Sequence, residues 1–188
     1  LKHLHEHTEN PLCIYCWRGG LRSQSLASIL AVMGIECYQL EGGIRSYRNK
    51  IIRDFENRTL QSKPFIVIEG HTGTQKTAFL EKLQDDGYPV LNLEKYAGHR
   101  GSVFGAIGLA PHSQKRFDSM LWERLQELGN TPYYIIEGES KRIGRISLPE
   151  FILQGKRNSI RINLACPFDE RLKTIYSTYR PNDHRDEI

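Results

Sequence analysis

Phe65-Ile66-Val67-Ile68-Glu69 is a mostly β-branched apolar run, and Gly70-His71-Thr72-Gly73-Thr74-Gln75-Lys76-Thr77 follows it directly. A buried-type strand that runs into a glycine-bearing turn and then a helix is one unit of a parallel sheet. Parallel neighbours need a crossover connection, and a helix is the usual one. The turn nearly matches the pattern of glycine, four residues, glycine, lysine, then Ser or Thr. In such a turn the backbone N–H groups cradle phosphates, the lysine reaches the outer phosphate oxygens, and the hydroxyl holds Mg²⁺. Gly70, Gly73, Lys76 and Thr77 are therefore candidate phosphate-binding residues. Gln75 stands where the pattern has its second glycine, whose missing Cβ lets the backbone approach a phosphate closely. The alternative is a strand–turn–helix connection that binds nothing.

Alternation continues downstream. Strands are predicted at 89–93, 133–137 and 159–164, and helices at 78–83, 112–128 and 168–179. Strands alternating with helices imply a mostly parallel sheet. Glu137 and Glu139 end the run Tyr133-Tyr134-Ile135-Ile136, at the carboxyl end of a strand, where open α/β sheets place ligands. They are candidate metal-facing carboxylates, against the plainer reading of an acidic turn.

A second strand–loop–helix unit lies upstream. Residues 11–16 read as a strand, 22–33 as a helix with Leu26, Ile29, Leu30 and Met33 at helical spacing, 35–40 as a strand and 44–55 as a helix. Cys16 ends the first strand, and Trp17, Arg18, Gly19, Gly20, Leu21 and Ser23 complete the loop around Arg22. Successive N–H groups of such a loop form an anion nest, and the following helix adds the positive end of its dipole. A thiol there has its thiolate form favoured. Arg22 would add a fork of donors for an oxyanion. The rhodanese sulfur-transfer loop and the protein-tyrosine-phosphatase loop share this layout. A phosphatase normally has His before the cysteine, where Tyr15 stands here, and no acid can be assigned to protonate a leaving alcohol. Two strands cannot bury both faces of a sheet, so this segment reads as part of an α/β domain that is N-terminally truncated. The expected organisation is a domain at 1–57, a polar linker at 58–64 and a second domain at 65–188.

The formal net charge of +4 permits an RNA or phosphate partner without requiring one. Four cysteines are too few for a disulfide framework and suit a reducing cytoplasm. Cys13 and Cys16 have CxxC spacing, but Cys13 falls within the strand, which argues against thioredoxin-like chemistry. His3, His5 and His7 alternate near the cysteines, and read better as a polar surface segment than as metal ligands. No apolar run approaches the roughly 20 residues that span a bilayer. Three segments are dense in cations: His99 and Arg100 among glycines, Lys115 and Arg116, and Lys141, Arg142 and Arg145. Each alone reads as a solvated basic loop; together they favour an anionic ligand.

Cys16-Trp17-Arg18-Gly19-Gly20-Leu21-Arg22-Ser23 followed by a phosphate-loop domain resembles the tRNA 2-selenouridine synthase family. Leu40-Glu41-Gly42-Gly43, Gly98-His99-Arg100-Gly101-Ser102, Gln114-Lys115-Arg116-Phe117 and Ser140-Lys141-Arg142-Ile143-Gly144 look like motifs of the same family, in the same order. The resemblance covers essentially the whole chain. It implies the C-terminal part of a rhodanese-like domain followed by a P-loop NTPase-like parallel-sheet domain, as an internal fragment of a longer protein. It also implies an activity. The family replaces the sulfur of wobble 2-thiouridine in tRNA with selenium from selenophosphate, and geranylates the same sulfur from geranyl diphosphate. Cys16 would be the rhodanese cysteine required for selenium transfer, with Arg22 and the loop amides stabilising an oxyanion. Gly70, Gly73, Lys76 and Thr77 would hold the diphosphate of the geranyl donor, with Mg²⁺ as the one ion the loop would accommodate. His99, Arg100, Lys115, Arg116, Lys141, Arg142 and Arg145 would bind tRNA or donor. No tightly bound cofactor, no resident metal site and no membrane partner are implied. Gln75 departs from the family's usual glycine. A stand-alone sulfurtransferase fused to a degenerate phosphate loop, and a phosphate- or RNA-binding module without turnover, are the competing readings.

Overall fold

The computed structural model describes residues 11–57, 62–102 and 104–179. His3, His5 and His7 and most of the expected linker lie outside the described residues. The chain divides into two compact units, Leu1–Asp54 and Phe55–Ile188.

In the first unit, β1 (Leu12–Ile14) pairs in parallel with β2 (Cys37–Gln39), Leu12 opposite Cys37 and Ile14 opposite Gln39. Helix α1 (Leu21–Val32) makes the crossover, and α2 (Gly43–Phe55) follows β2. The order matches the sequence reading, but the packing of α1 does not. Leu26, Ile29 and Met33, predicted to form its apolar face, are 38%, 58% and 49% exposed; Leu30 and Ser23 are the buried positions. A two-stranded sheet is too narrow to cover a helical face more than one side chain wide.

In the second unit, β3 (Phe65–Glu69), β4 (Val90–Leu91), β5 (Tyr134–Glu137) and β8 (Ile160–Asn163) form one sheet in the order β4-β5-β3-β8. Every pair in it is parallel, with Val67 opposite Ile136 and Arg161. The α/β fold with a parallel sheet expected from the alternation is thus observed. Phe65, Val67, Ile68, Val90, Leu91 and Tyr134 to Ile136 are buried, as suits strands covered on both faces. Helix α3 (Lys76–Asp85) follows the glycine loop and buries Leu80 against Ile68, Val90 and Ile135. Burying each such side chain is worth about 1.5–3 kcal/mol. Helix α5 (Gln114–Leu128) starts at Ser113, whose hydroxyl accepts the Arg116 N–H at 3.3 Å, and buries Phe117, Leu121 and Leu125. The last helix, α7 (Phe168–Tyr179), lies where periodicity placed it.

Three elements differ from expectation. The strand predicted at 89–93 is cut short because Asn92 caps a new helix, α4 (Leu93–Ala97), its Oδ1 accepting the Lys95 N–H at 3.0 Å. The basic stretch around Lys141 to Arg145 is not an irregular loop. It is an antiparallel hairpin of β6 (Arg142–Ile143) and β7 (Ile146–Ser147), turned at Gly144 and anchored by buried Ile143 and Ile146. Helix α6 (Glu150–Arg157) had no counterpart in the sequence reading. Its Gly155 obscures the pattern, yet a Cβ there would sit 2.1 Å from Phe65, so the glycine permits close packing of helix on strand. Among the described residues, no helix is long and apolar enough to cross a membrane.

Candidate functional site

Each unit carries a strand–loop–helix turn at the carboxyl end of its sheet. In the first unit the chain turns between β1 and α1 so that Cys16 Sγ faces the first turn of α1. Ser23, 2% exposed, places its Oγ 3.3 Å from Sγ and 3.0 Å from the Gly20 carbonyl. Gln39 Nε2 donates to Ser23 Oγ at 2.9 Å and to the Gly19 carbonyl at 2.8 Å. The Ser23 hydroxyl, already accepting from Gln39, is left to donate. Its hydrogen bond is the largest cause lowering the Cys16 pKa to about 6 from the ordinary 9.0; partial burial opposes it, and the Arg18, Gly20 and Ser23 N–H groups add to it. The lowering thus comes first from the Ser23 hydroxyl, a role the sequence reading did not give it, and the N–H groups of the expected nest add to it.

Two glycines make that geometry possible. Gly19 has φ +65°, and a Cβ on it would lie 2.7 Å from the backbone nitrogens of Gly42 and Gly43. Gly43 has φ +62°, and a Cβ on it would lie 2.1 Å from the Cys16 carbonyl oxygen. Ile44 and Arg45 then donate their N–H groups to the carbonyls of Cys16 and Trp17 at 3.1 and 3.0 Å. The second glycine pair, Gly42-Gly43, quoted above as part of a family motif, is the seat of the cysteine loop. Trp17, Arg18, Leu21 and Arg22 are exposed around Cys16. All four cysteines are free thiols.

In the second unit the phosphate-type loop keeps its backbone form despite Gln75. Gln75 is left-handed, φ 61° and ψ 31°, and is the one non-glycine residue with positive φ among the described residues. That conformation costs an L-residue about 1–2 kcal/mol. Gly70 and Gly73 have φ +151° and +85°; a Cβ on Gly73 would lie 2.6 Å from the Arg171 carbonyl of α7. Lys76 Nζ donates to the Gly70 carbonyl at 2.8 Å and to that of His71 at 3.4 Å. The Thr77 hydroxyl donates to Glu94 Oε2 at 2.9 Å.

Behind the loop stand three carboxyl groups. Glu137 ends β5 fully buried; its Oε2 accepts the Leu93 N–H at 3.0 Å, and its Oε1 has no partner among the described residues. Burial first, and the Glu94 charge second, push Glu137 up to about 8. Burial, then the Glu139 charge, push Glu94 up to about 7, against the Thr77 hydrogen bond. Glu94 was missed by sequence reasoning. Its signal was Asn92, a helix-capping residue placed just after an apolar strand. Among the described residues no cluster of three or more His, Cys, Asp or Glu could cage a metal.

The loop opens on a cleft of about 1320 Å³. On its far wall the His99 ring sits between Gly105 and Gly144, where added Cβ atoms would lie 2.6 and 2.8 Å from it. His99 Nδ1 accepts the Gly101 N–H at 3.1 Å. Arg100 Nη1 donates to the Ile107 carbonyl at 2.7 Å, and its guanidinium lies 5.5 Å from the Tyr179 ring centre. Helix α7 bridges the two walls. Arg171 Nε donates to the Thr72 carbonyl at 3.0 Å, Gln75 Nε2 to Thr174 Oγ1 at 3.4 Å, and the Tyr179 and Ser102 hydroxyls meet at 2.6 Å. The structure thus gathers Gly70, Gly73, Lys76, Thr77, His99 and Arg100 around one cleft. It does not bring Lys115, Arg116, Lys141, Arg142 or Arg145 there; all five are exposed on α5 and the β6–β7 hairpin segment.

A family model described as the tRNA 2-selenouridine synthase AAA domain matches residues 63–188. The tRNA 2-selenouridine synthase of Sulfurovum sp. (strain NBC37-1) is 34% identical over 173 residues, covering 91% of this chain and 46% of that protein. That of Nitrosomonas eutropha is 34% identical over 173 residues, covering 88% of this chain and 43% of that protein. That of Shewanella loihica is 33% identical over 174 residues, covering 92% and 45%. The chain spans about half the length of the curated relatives it matches.

Proposed function

The chain belongs to the tRNA 2-selenouridine synthase family, and on that premise we propose that it is part of a cytoplasmic transferase that replaces the sulfur of wobble 2-thiouridine in tRNA with selenium. One observation carries the reading: Cys16 Sγ, lowered to about 6, lies within a cradle made by the Ser23 hydroxyl and the Arg18, Gly20 and Ser23 N–H groups. A rhodanese-like loop of this kind suits selenophosphate, a small tetrahedral anion. The loop amides and Arg22 would hold its phosphoryl oxygens and so orient the donor beside Sγ.

The cleft of the second unit supplies the other half of the proposal. Its Gly70–Lys76 turn offers N–H groups, a lysine and a helix start to a diphosphate, which fits geranyl diphosphate as donor for S-geranylation of the same nucleoside. Departure of diphosphate needs positive charge, and Lys76 would provide it. The Thr77 hydroxyl and Glu94 carboxyl, already paired at 2.9 Å, are the groups that would hold Mg²⁺ beside the phosphates. When bound, the ion would neutralise phosphate charge. The test is the nucleoside composition of tRNA, by mass spectrometry, from cells with and without the full-length gene. Selenouridine that persists without the gene, under selenium supply, refutes the reading.

A further inference from the structure

Strand β2 meets α1 through side chains on one face of each. Cys37 and Gln39, two residues apart on the strand, reach Ala27 and Ser23, four residues apart on the helix. Cys37 Sγ donates to the Ala27 carbonyl at 3.4 Å, and Gln39 Nε2 to Ser23 Oγ at 2.9 Å. Two strand residues rise about 6.6 Å and one helical turn about 5.4 Å, so both contacts can form together. Gln39 is thereby set against the first turn of α1, and its neighbour across the sheet is Ile14, two residues before Cys16. The Gln39 amide nitrogen has two hydrogens, and it makes two bonds, the second to the Gly19 carbonyl at 2.8 Å. The reverse orientation of the amide would set its oxygen against the Gly19 carbonyl oxygen, so the donors face the loop.

Ser23 has one hydroxyl proton to give, and two acceptors lie in its reach. The Gly20 carbonyl, 3.0 Å away, already receives the Ser23 and Gln24 N–H groups at 3.1 Å each, which fill its two lone pairs. Cys16 Sγ, 3.3 Å away, is the acceptor left to it among the described residues. Ser23 is buried, so water competes poorly for the proton. Hydrogen bonds in a chain polarise one another, and an oxygen that accepts from an amide becomes a stronger donor. Gln39 Nε2–H, Ser23 Oγ–H and Cys16 Sγ are such a chain, and it ends on the reacting atom. The bond to Gly19 serves the same end. Gly19 sits in the loop with φ +65°, and its carbonyl is held from the neighbouring strand.

We propose that Gln39 is the positioning residue of the cysteine loop: it fills the acceptor side of the Ser23 hydroxyl and holds the Gly19 carbonyl, so that the Ser23 proton is aimed at Cys16 Sγ. This rests on the reading of Cys16 as the reacting thiolate. The experiment is a double-substitution cycle in the full-length protein: wild type, Gln39→Met, Ser23→Ala and the two combined. Each is read as the Cys16 midpoint in thiol exchange over a pH series, with Cys16→Ser as background. Methionine keeps the side chain's length and has no donor. Arg18 and Arg22 on the loop and α1, and Glu41 and Arg45 across the Gly42-Gly43 turn, are common to all four proteins, so their charges cancel in the comparison. Gln39→Met alone should raise the midpoint by about 0.5–1 unit, part of the 1–2 expected for losing the hydroxyl itself. Added to Ser23→Ala it should change nothing further, because the group it acts through is gone. At pH 9 Gln39→Met should react about two- to threefold faster than wild type, as a more basic thiolate does. Gln39→Glu reverses the polarity: its carboxylate accepts the Ser23 proton, and the midpoint should rise beyond that of Ser23→Ala. A wild-type midpoint near the ordinary 9.0 would remove the thiolate reading, and the role of Gln39 with it. With the wild type near 6, three results refute the role of Gln39 alone: no rise in Gln39→Met, the same rise in both backgrounds, or a rise in Gln39→Met beyond that of Ser23→Ala.

Discussion

Removing the Ser23 hydroxyl should convert Cys16 from a thiol that is mostly ionised at pH 7 into one that is only partly so. Its hydrogen bond to Sγ, 3.3 Å long, is the largest cause of a pKa near 6. Losing one charge-assisted donor of this kind raises a pKa by about 1–2 units, while the Arg18, Gly20 and Ser23 N–H groups still hold it below 9.0. Taking the middle of that range, the thiolate fraction at pH 5.5 falls about 24-fold, and at pH 9 it hardly changes. Intrinsic nucleophilicity moves the other way. With a Brønsted slope of about 0.4–0.5, the more basic thiolate is about fivefold more reactive. The two effects nearly cancel at pH 7. Ser23→Ala should therefore react about fivefold slower than wild type at pH 5.5 and about fivefold faster at pH 9, with the curves crossing near neutrality. The assay is thiol exchange with a dithiodipyridine over a pH series, with Cys16→Ser as background for Cys13, Cys37 and Cys166. A midpoint left near 6 in Ser23→Ala, or a faster Cys37 or Cys166 in the wild type near neutral pH, would refute the hydrogen-bonded nest as the source of activation.

Other consequences concern the second unit. Glu137 has a folded pKa near 8 against 4.5 for the free group, so its protonated form is fully compatible with the fold below about pH 4.5 and stability is lost as pH rises from there through 8. Glu137→Gln keeps an acceptor for the Leu93 N–H and should flatten urea midpoints over that window, though Glu94 leaves some slope; an unchanged slope would show that Glu137 is not held protonated. Lys76→Ala removes the ammonium that closes the phosphate loop, and should weaken inorganic pyrophosphate binding by about 10–100-fold in calorimetry. Gln75→Gly relieves left-handed strain of about 1–2 kcal/mol but gives back about 0.5–1 in chain entropy, so stability should change little while pyrophosphate binds more tightly. Equal affinity in wild type and both variants would make this loop a relic.

Much of this arrangement is legible in the residues because it depends on local form. Phe65 to Glu69 and the glycine loop announce strand, turn and helix through burial pattern and turn chemistry alone, and Cys16 to Ser23 do the same. What is not legible depends on a partner distant in sequence. Gly43 matters because Gly19 and the Cys16 carbonyl press against it, and Glu94 matters because Thr77 and Glu137 do. The apolar spacing of Leu26, Ile29 and Met33 predicted a buried face that the narrow sheet cannot cover. Gln75 departs from the glycine pattern, yet its backbone takes the left-handed form a glycine would take.

The central proposal divides labour between a thiolate loop for selenium and a phosphate loop for the alkyl donor, and one substitution separates them. Cys16→Ser in the full-length protein, supplied with 2-thiouridine tRNA, geranyl diphosphate and selenophosphate, is to be read by nucleoside mass spectrometry. Alkylation of the thiocarbonyl sulfur needs no protein thiolate, so the expected result is S-geranyl-2-thiouridine without selenouridine. Selenouridine at the wild-type level, or loss of both products with tRNA binding intact, would contradict it.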